Sequence, residues 1–158
     1  MKSNSKTFAI NKRARFDYDI SETLEAGIML LGTEIKAMRE GRANLSDAYA
    51  RNLSGEIYLI NAHIGQYSNA QSGTNHEPKR SRKLLLKKNQ ISKLISQLDE
   101  RGFTLVPIKI YLKSNIAKVQ LGLGKGKKLY DKRQSIIERE RNREASRALS
   151  YKQKEIGY

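Results

Sequence analysis

The feature that most constrains this 158-residue chain is a change of character at Gly122–Arg133, Gly-Leu-Gly-Lys-Gly-Lys-Lys-Leu-Tyr-Asp-Lys-Arg. The residues before it alternate apolar and polar as a folded domain does; those after it include very few large apolar side chains. The stretch sets Lys125, Lys127, Lys128, Lys132 and Arg133 against Asp131 alone, a local charge of +4. Crowded ammonium groups repel one another, and a polyanion relieves that repulsion while releasing its own counterions. Three glycines read as a hinge whose backbone comes close to a partner, because no Cβ stands in the way.

The same sign runs through the whole chain. Thirty-one Lys and Arg face 16 Asp and Glu, for a net charge of +15. Nucleic acid is the partner such a balance implies. Cysteine is absent, which removes disulfides and thiolate metal sites from consideration. The polar start Met1–Ile10 lacks a secretory apolar core and no window reaches membrane-span length, so a soluble cytoplasmic protein is expected.

Within the first part, residues 1–10 read as a mobile basic leader and residues 11–130 as the domain. Phe16 to Leu31 alternates like a long strand, bent at Gly27. Thr33 is placed to cap a short helix that Gly41 ends, and Ser54-Gly55 closes a hairpin between residues 48–53 and 56–61. Gly65 to Pro78 reads as a mobile polar loop. Ile91, Leu94, Ile95 and Leu98 fall on one face of a helix over about 89–101. Thr104–Lys113 and Ala117–Leu123 alternate again, with Ile108, Ile110 and Leu112 inward and Pro107 at an edge or bulge. The expected fold is mainly β: an antiparallel barrel of the oligonucleotide-binding kind with two or three flanking helices and a basic C-terminal tail. A ferredoxin-like sandwich is the second choice.

Residues 131–158 carry eight basic and five acidic residues. Glu138, Glu140 and Glu144 each precede an Arg by three residues, and Arg139, Arg143 and Arg147 share one helical face. Such pairs are worth only about 0.2–0.5 kcal/mol each, too little to offset nucleation in an exposed segment. The expectation is a tail that is disordered when free and helical when bound to a polyanionic groove.

No catalytic constellation stands out. Asp17, Asp19, Glu22 and Glu25 offer carboxylates without a defined ligand spacing, and His63 and His76 lack partners at metal-ligand spacing. The Gly122–Lys127 run lacks the spacing and terminal Lys-Ser/Thr of a phosphate-binding loop. A binding protein without cofactor or metal is expected rather than an enzyme.

Several motifs run in order along nearly the whole chain: Asn11-Lys-Arg-Ala-Arg, Glu25-Ala-Gly, Gly32-Thr-Glu-Ile-Lys-Ala, Asn44-Leu-Ser-Asp-Ala-Tyr, Asn75-His-Glu-Pro, Arg82-Lys-Leu-Leu-Leu and Gly126-Lys-Lys-Leu-Tyr-Asp-Lys-Arg. Together they resemble the SsrA-binding protein family, also called small protein B. That resemblance implies an oligonucleotide-binding barrel, and a monomeric adaptor that binds the tRNA-like domain of transfer-messenger RNA and brings it to stalled ribosomes. It maps RNA contacts to Asn11, Lys12, Glu25, Leu85 and Lys118, with Arg13, Arg82, Lys83, Lys125, Lys127 and Lys128 adding charge. It also implies that Tyr130, Asp131, Lys132 and Arg133 approach the ribosomal decoding centre, while Arg139, Arg143 and Arg147 face phosphates of the empty message channel. Two departures touch loops only: His63-Ile-Gly-Gln-Tyr lacks a proline common in the family, and Glu77 stands where Asp is usual.

Overall fold

The structure, a computed structural model, describes the backbone of residues 6–155 and the side chains of residues 6–152. The chain divides into two compact units between Gly126 and Lys127. The first contains β1 (Lys6–Ile10), α1 (Ala14–Asp17), β2 (Tyr18–Ile28), α2 (Gly32–Arg39), β3 (Ala43–Asn44), β4 (Tyr49–Leu53), β5 (Glu56–Ile60), β6 (His63–Ile64), β7 (Arg82–Leu85), α3 (Lys88–Asp99), β8 (Phe103–Lys113) and β9 (Ile116–Gly126). The second is one helix, α4 (Leu129–Glu155).

Strands β8, β4, β5, β7, β2 and β9 pair in that order and β9 pairs back onto β8, closing an antiparallel ring. Closure excludes the open sheet of a ferredoxin-like sandwich and leaves the oligonucleotide-binding kind of barrel. β3 and β6 form a separate two-stranded ladder. Side chains alternate across each strand, so every second residue enters the barrel. Ile57, Leu59, Leu84, Leu105, Ile110, Val119, Leu121 and Leu123 fill it and are essentially inaccessible. Ser54 and Gly55 both have positive φ, 51° and 83°, as a tight two-residue hairpin turn requires.

Residues 6–10 are not part of a leader: β1 pairs with β8 from Lys6↔Leu112 to Ile10↔Lys109, satisfying an edge of β8 that would otherwise be bare. The remainder of the expected leader, residues 1–5, lies outside the described residues. The strand expected from Phe16 starts instead at Tyr18, because Phe16 belongs to the turn of α1. Its irregularity sits between Ile20 and Glu22, not at Gly27. Gly27 serves close approach: a Cβ there would lie 3.1 Å from the Leu85 Cβ.

Ile108 also departs from the expected alternation. The register of β8 against β9 shifts between Pro107 and Lys109, so Ile108 occupies the bulge and packs with Ala14 and Val106, away from Ile110. Pro107, which has no amide to give the ladder, stands at this bulge as expected. Its carbonyl accepts from the Asn11 side-chain amide at 3.1 Å.

Helix α2 is capped by Glu34 rather than Thr33. The Glu34 carboxylate accepts the Leu31 amide at 2.7 Å, while the Thr33 hydroxyl lies 2.9 Å from His76 Nδ1. Because the other ring nitrogen of His76 meets the Ile64 carbonyl at 2.9 Å, Nε2 carries the proton and Nδ1 accepts from Thr33. Asn75 brackets Tyr67, accepting from its amide and donating to its carbonyl, each at 3.0 Å. The 65–78 loop is thus held at Asn75 and His76. Gly41 and Gly102, with φ of 79° and 90°, come shortly after α2 and α3, in the left-handed geometry that ends helices.

Glu34 is also the centre of a buried ion cluster. Its two oxygens receive Arg82 Nε at 2.8 Å and Arg80 at 3.1 and 2.9 Å. Burial favours the neutral acid, but Arg80, the Leu31 amide and Arg82 outweigh it and hold the Glu34 carboxyl below its ordinary range. The remaining Arg82 donors go to the carbonyls of Ala62, Arg80 and Pro78. This cluster ties α2, the loop before β7, and β7 into one body.

Candidate nucleic-acid interface

Directly opposed residues in antiparallel strands share a face, so the pairing registers define the outer surface. One row runs Thr7–Tyr111–Lys118–Gly27–Leu85 across β1, β8, β9, β2 and β7. The next runs Ile10–Lys109–Gln120–Glu25 across β1, β8, β9 and β2. Three residues expected at an RNA face, Glu25, Leu85 and Lys118, are therefore adjacent in neighbouring rows. Leu85 is 50% exposed while its neighbour Leu84 is buried, so alternation along β7 splits the leucine run and leaves Leu85 outside the core. Its side chain leans over Gly27, where there is no Cβ to obstruct it.

Glu25 accepts a hydrogen bond from the Tyr111 hydroxyl and lies 3.4 Å from the Lys113 ammonium. The Tyr111 bond, with Lys113 and Lys118 nearby, holds the Glu25 carboxyl below its ordinary range. Tyr111 moves the other way, pushed up to about 12 by partial burial and by the carboxylate it serves. Lys109 sets its ammonium 5.1 Å from the Tyr111 ring centroid. The surface thus presents a fixed carboxylate amid cations, with an exposed leucine one row away. Lys83 lies on the Leu85 side of β7, opposite Tyr58, and pairs with Glu56 at 3.4 Å.

Two expected contact residues are drawn inward. Asn11 is buried, its amide committed to Pro107 and its oxygen accepting the Arg13 amide at 3.2 Å. Arg82 is 0% exposed and locked on Glu34, so the structure removes it from the phosphate-contacting set. Lys12 and Arg13 remain exposed in the turn after β1, with Arg13 3.3 Å from Asp17 at the rim of a cavity of about 390 Å³ that Tyr18, Asp47 and Tyr49 help line. That pairing gives Asp17 a role in α1; among the described residues no group of three or more His, Asp or Glu is arranged to hold a metal.

The glycine-rich stretch divides into parts with different work. Gly122 and Gly124 are buried in β9, and a Cβ on Gly124 would overlap the Asp19 carbonyl, whose carbon would be 2.9 Å away. Their missing side chains admit the neighbouring strand, not an outside partner. Lys125 belongs to the barrel unit, its ammonium 4.6 Å from the Phe103 ring centroid. It is seven residues from Lys118 along β9, about 23 Å at strand rise, and so stands apart from the Glu25 rows.

The second unit opens with Lys127 and Lys128. Lys127 donates to Ser135 at 3.2 Å, and the Tyr130 hydroxyl accepts from Gln134 at 3.0 Å. Asp131 lies in the first turn of the helix with its carbonyl accepting from Ser135 at 2.9 Å, and the Lys132 amide donates to the Lys128 carbonyl at 3.1 Å. Lys132 is only partly exposed, whereas Arg133 is exposed. Arg139, Arg143 and Arg147 share one face of α4 with Ser135, Asn142 and Ser146. Among the described residues, no helix is long and apolar enough to cross a membrane.

Lys109, Tyr111, Gln120 and Ile10 are not among the sequence candidates. The first three are accessible in principle, since placing Ile110, Val119 and Leu121 inside turns their neighbours outward. Ile10 becomes visible only when β1 is paired, because nothing local marks residues 6–10 as a strand.

The family model described as SmpB protein matches residues 8–151. An SsrA-binding protein of Halalkalibacterium halodurans is 53% identical over 150 residues, covering 95% of this chain and 97% of the relative. Another, from Halothermothrix orenii, is 52% identical over 151 residues, covering 96% of this chain and 97% of that one. A chain in a solved structure described as "tmRNA-SmpB: a journey to the center of the bacterial ribosome" superposes with a TM-score of 0.64 and 47% identity, covering 77% of this chain and 85% of its own. With its barrel, its motifs and these matches in agreement, the chain belongs to the SmpB family of SsrA-binding proteins.

Proposed function

We infer that this chain is an RNA-binding adaptor of trans-translation, one that binds transfer-messenger RNA and accompanies it to ribosomes in the cytoplasm. Family membership supports the partner, and the outer face of the barrel supports the mode. The observation that carries the mode is the ionised Glu25 beside Lys118 and near Leu85 on a chain of net charge +15. Cations alone would hold any RNA, whereas a fixed carboxylate repels phosphate and accepts from base or 2′-hydroxyl donors, so it selects. Lys12, Arg13, Lys83 and Lys118 supply charge to phosphates, and Leu85 packs on an unstacked base.

The second unit has a different task. Its helix, led by Tyr130, Asp131, Lys132 and Arg133 toward the decoding centre, lies in the message channel with Arg139, Arg143 and Arg147 on phosphates, after Lys125, Lys127 and Lys128 have engaged RNA at its entrance. Message and helix compete for one channel, so occupancy by the helix reports that message is missing. In the free protein the helix exchanges with unfolded chain, since its surface pairs are weak.

The test is binding of the full chain to the isolated tRNA-like domain of transfer-messenger RNA, against an unrelated structured RNA of equal length at near-physiological salt. A preference of at least tenfold, about 1.4 kcal/mol, is expected. Equal affinity for both RNAs would replace this function with that of a general barrel-type RNA-binding or ribosomal protein.

A further inference from the structure

We propose that Tyr111 is a positioning residue for RNA discrimination: its hydroxyl fixes the Glu25 carboxylate on the outer face of the barrel. The inference rests on the assignment of that face to RNA and goes beyond it, because Tyr111 itself has little left to offer a ligand. Its hydroxyl donates to Glu25, and the Lys109 ammonium lies 5.1 Å from its ring centroid.

Glu25 needs such a device. It is 37% exposed and sits among Tyr111 and Lys113 of β8 and Lys118 and Gln120 of β9. An unrestrained glutamate there has three rotatable bonds and two neighbouring ammonium groups to choose between. Swung fully onto a lysine, it would cancel a phosphate contact and present no acceptor. Lys113 lies 3.4 Å from both carboxylate oxygens, a loose contact that does not select one rotamer. The Tyr111 hydroxyl is directional and reaches one oxygen only, which leaves the other available to accept from RNA. The strand pairing keeps the donor in place: Tyr111 lies opposite Lys118, which lies opposite Gly27, and Glu25 is one residue pair along the same face.

The experiment compares the wild type, Tyr111→Phe, Glu25→Gln and the double variant for binding to the tRNA-like domain and to the unrelated RNA. Phenylalanine keeps the ring and the Lys109 contact and deletes one oxygen. Thermal melting of each variant establishes that the barrel is intact. Tyr111→Phe should lower the preference between the RNAs by about three- to tenfold, the range expected for one hydrogen bond to a charged group that is partly in water. It should add little to the loss in Glu25→Gln, because both act through one carboxylate. The Glu25 carboxyl, followed by carbon NMR in the free protein, should titrate at higher pH in Tyr111→Phe, a change that a residue merely supporting the barrel would not cause. If Glu25→Gln leaves the preference unchanged, the assignment of Glu25 to RNA selection fails. If Glu25→Gln lowers the preference and Tyr111→Phe does not, or if the two losses simply multiply, the positioning role of Tyr111 is overturned while the RNA face stands.

Discussion

The barrel and the α4 helix hold their shapes by opposite means. In the barrel, charged residues are spent inside: Glu34 and Arg82 are both 0% exposed and make their hydrogen bonds within the protein. In α4, the charges are nearly all outside, and Leu129, Tyr130, Leu149 and Tyr151 are exposed as well. A buried ion pair is costly to break because the partner left behind is neither hydrated nor paired, whereas exposed pairs change helix stability by tenths of a kcal/mol. The barrel therefore has its conformation fixed from within, and the proposed function predicts that α4 draws much of its stability from a partner.

The sharpest way to break this contrast is Glu34→Gln. Losing the charge opposite Arg82 should cost the barrel about 3–5 kcal/mol, measured by urea unfolding, with no comparable loss of α4 helicity. The pH dependence has a definite sign. The Glu34 carboxyl is held below its usual value of 4.5 in the folded protein, so its contribution is complete above that value and is lost as pH falls through the lower, folded one. Wild-type barrel stability should fall with acid over that window, and the fall should be smaller in Glu34→Gln.

Gly124→Ala tests the same rigidity without charge. The added methyl meets the Asp19 backbone, which has no rotamer to give, so a loss near 3 kcal/mol is expected in the same unfolding experiment. An unchanged midpoint would show that β2 and β9 can separate locally, and would restore the hinge expected of the glycines.

These two positions also show what can be read from the residues. Alternation locates β2, β4, β5, β8 and β9, because side-chain period follows directly from strand geometry, but it does not locate β7, only four residues long. It does not reveal that Arg82, in a run of exposed-looking cations, turns inward, since the pairing depends on Glu34 from a helix 48 positions earlier in the chain. Gly124 reads as part of a flexible segment for the same reason: the Asp19 carbonyl that excludes a side chain comes from a strand more than a hundred residues away. At the candidate site, Glu25, Leu85 and Lys118 are named by family resemblance, and the strand registers place them on one outer face. The Tyr111 bond is not, because it depends on the register of β8, β9 and β2 together.

A smaller effect separates surface from core. Leu85→Ala should leave barrel stability within about 0.5 kcal/mol of wild type, as for an exposed site, and weaken binding to the tRNA-like domain by about 1 kcal/mol, roughly fivefold. A large loss of stability would mean that the lean of Leu85 over Gly27 is core packing, and would take it out of the proposed RNA face.

The smallest change in fold is expected in α4. Replacing Arg139, Arg143 and Arg147 together by Gln should alter the helicity of the full chain by circular dichroism only slightly, because each side-chain pair contributes about 0.2–0.5 kcal/mol and Gln is nearly as good a helix former as Arg. The effect should appear instead in the salt dependence of ribosome binding. Each phosphate contact contributes roughly 0.7–0.9 to the slope of log affinity against log salt, so three lost contacts should flatten it by about 2–3 units. A helix that melts on this substitution would be one stabilised by its own charges. A helix that persists while the salt slope falls would be one whose arginines serve the RNA around it, and the division between a self-sufficient barrel and a partner-dependent helix would then rest on measured energies on both sides.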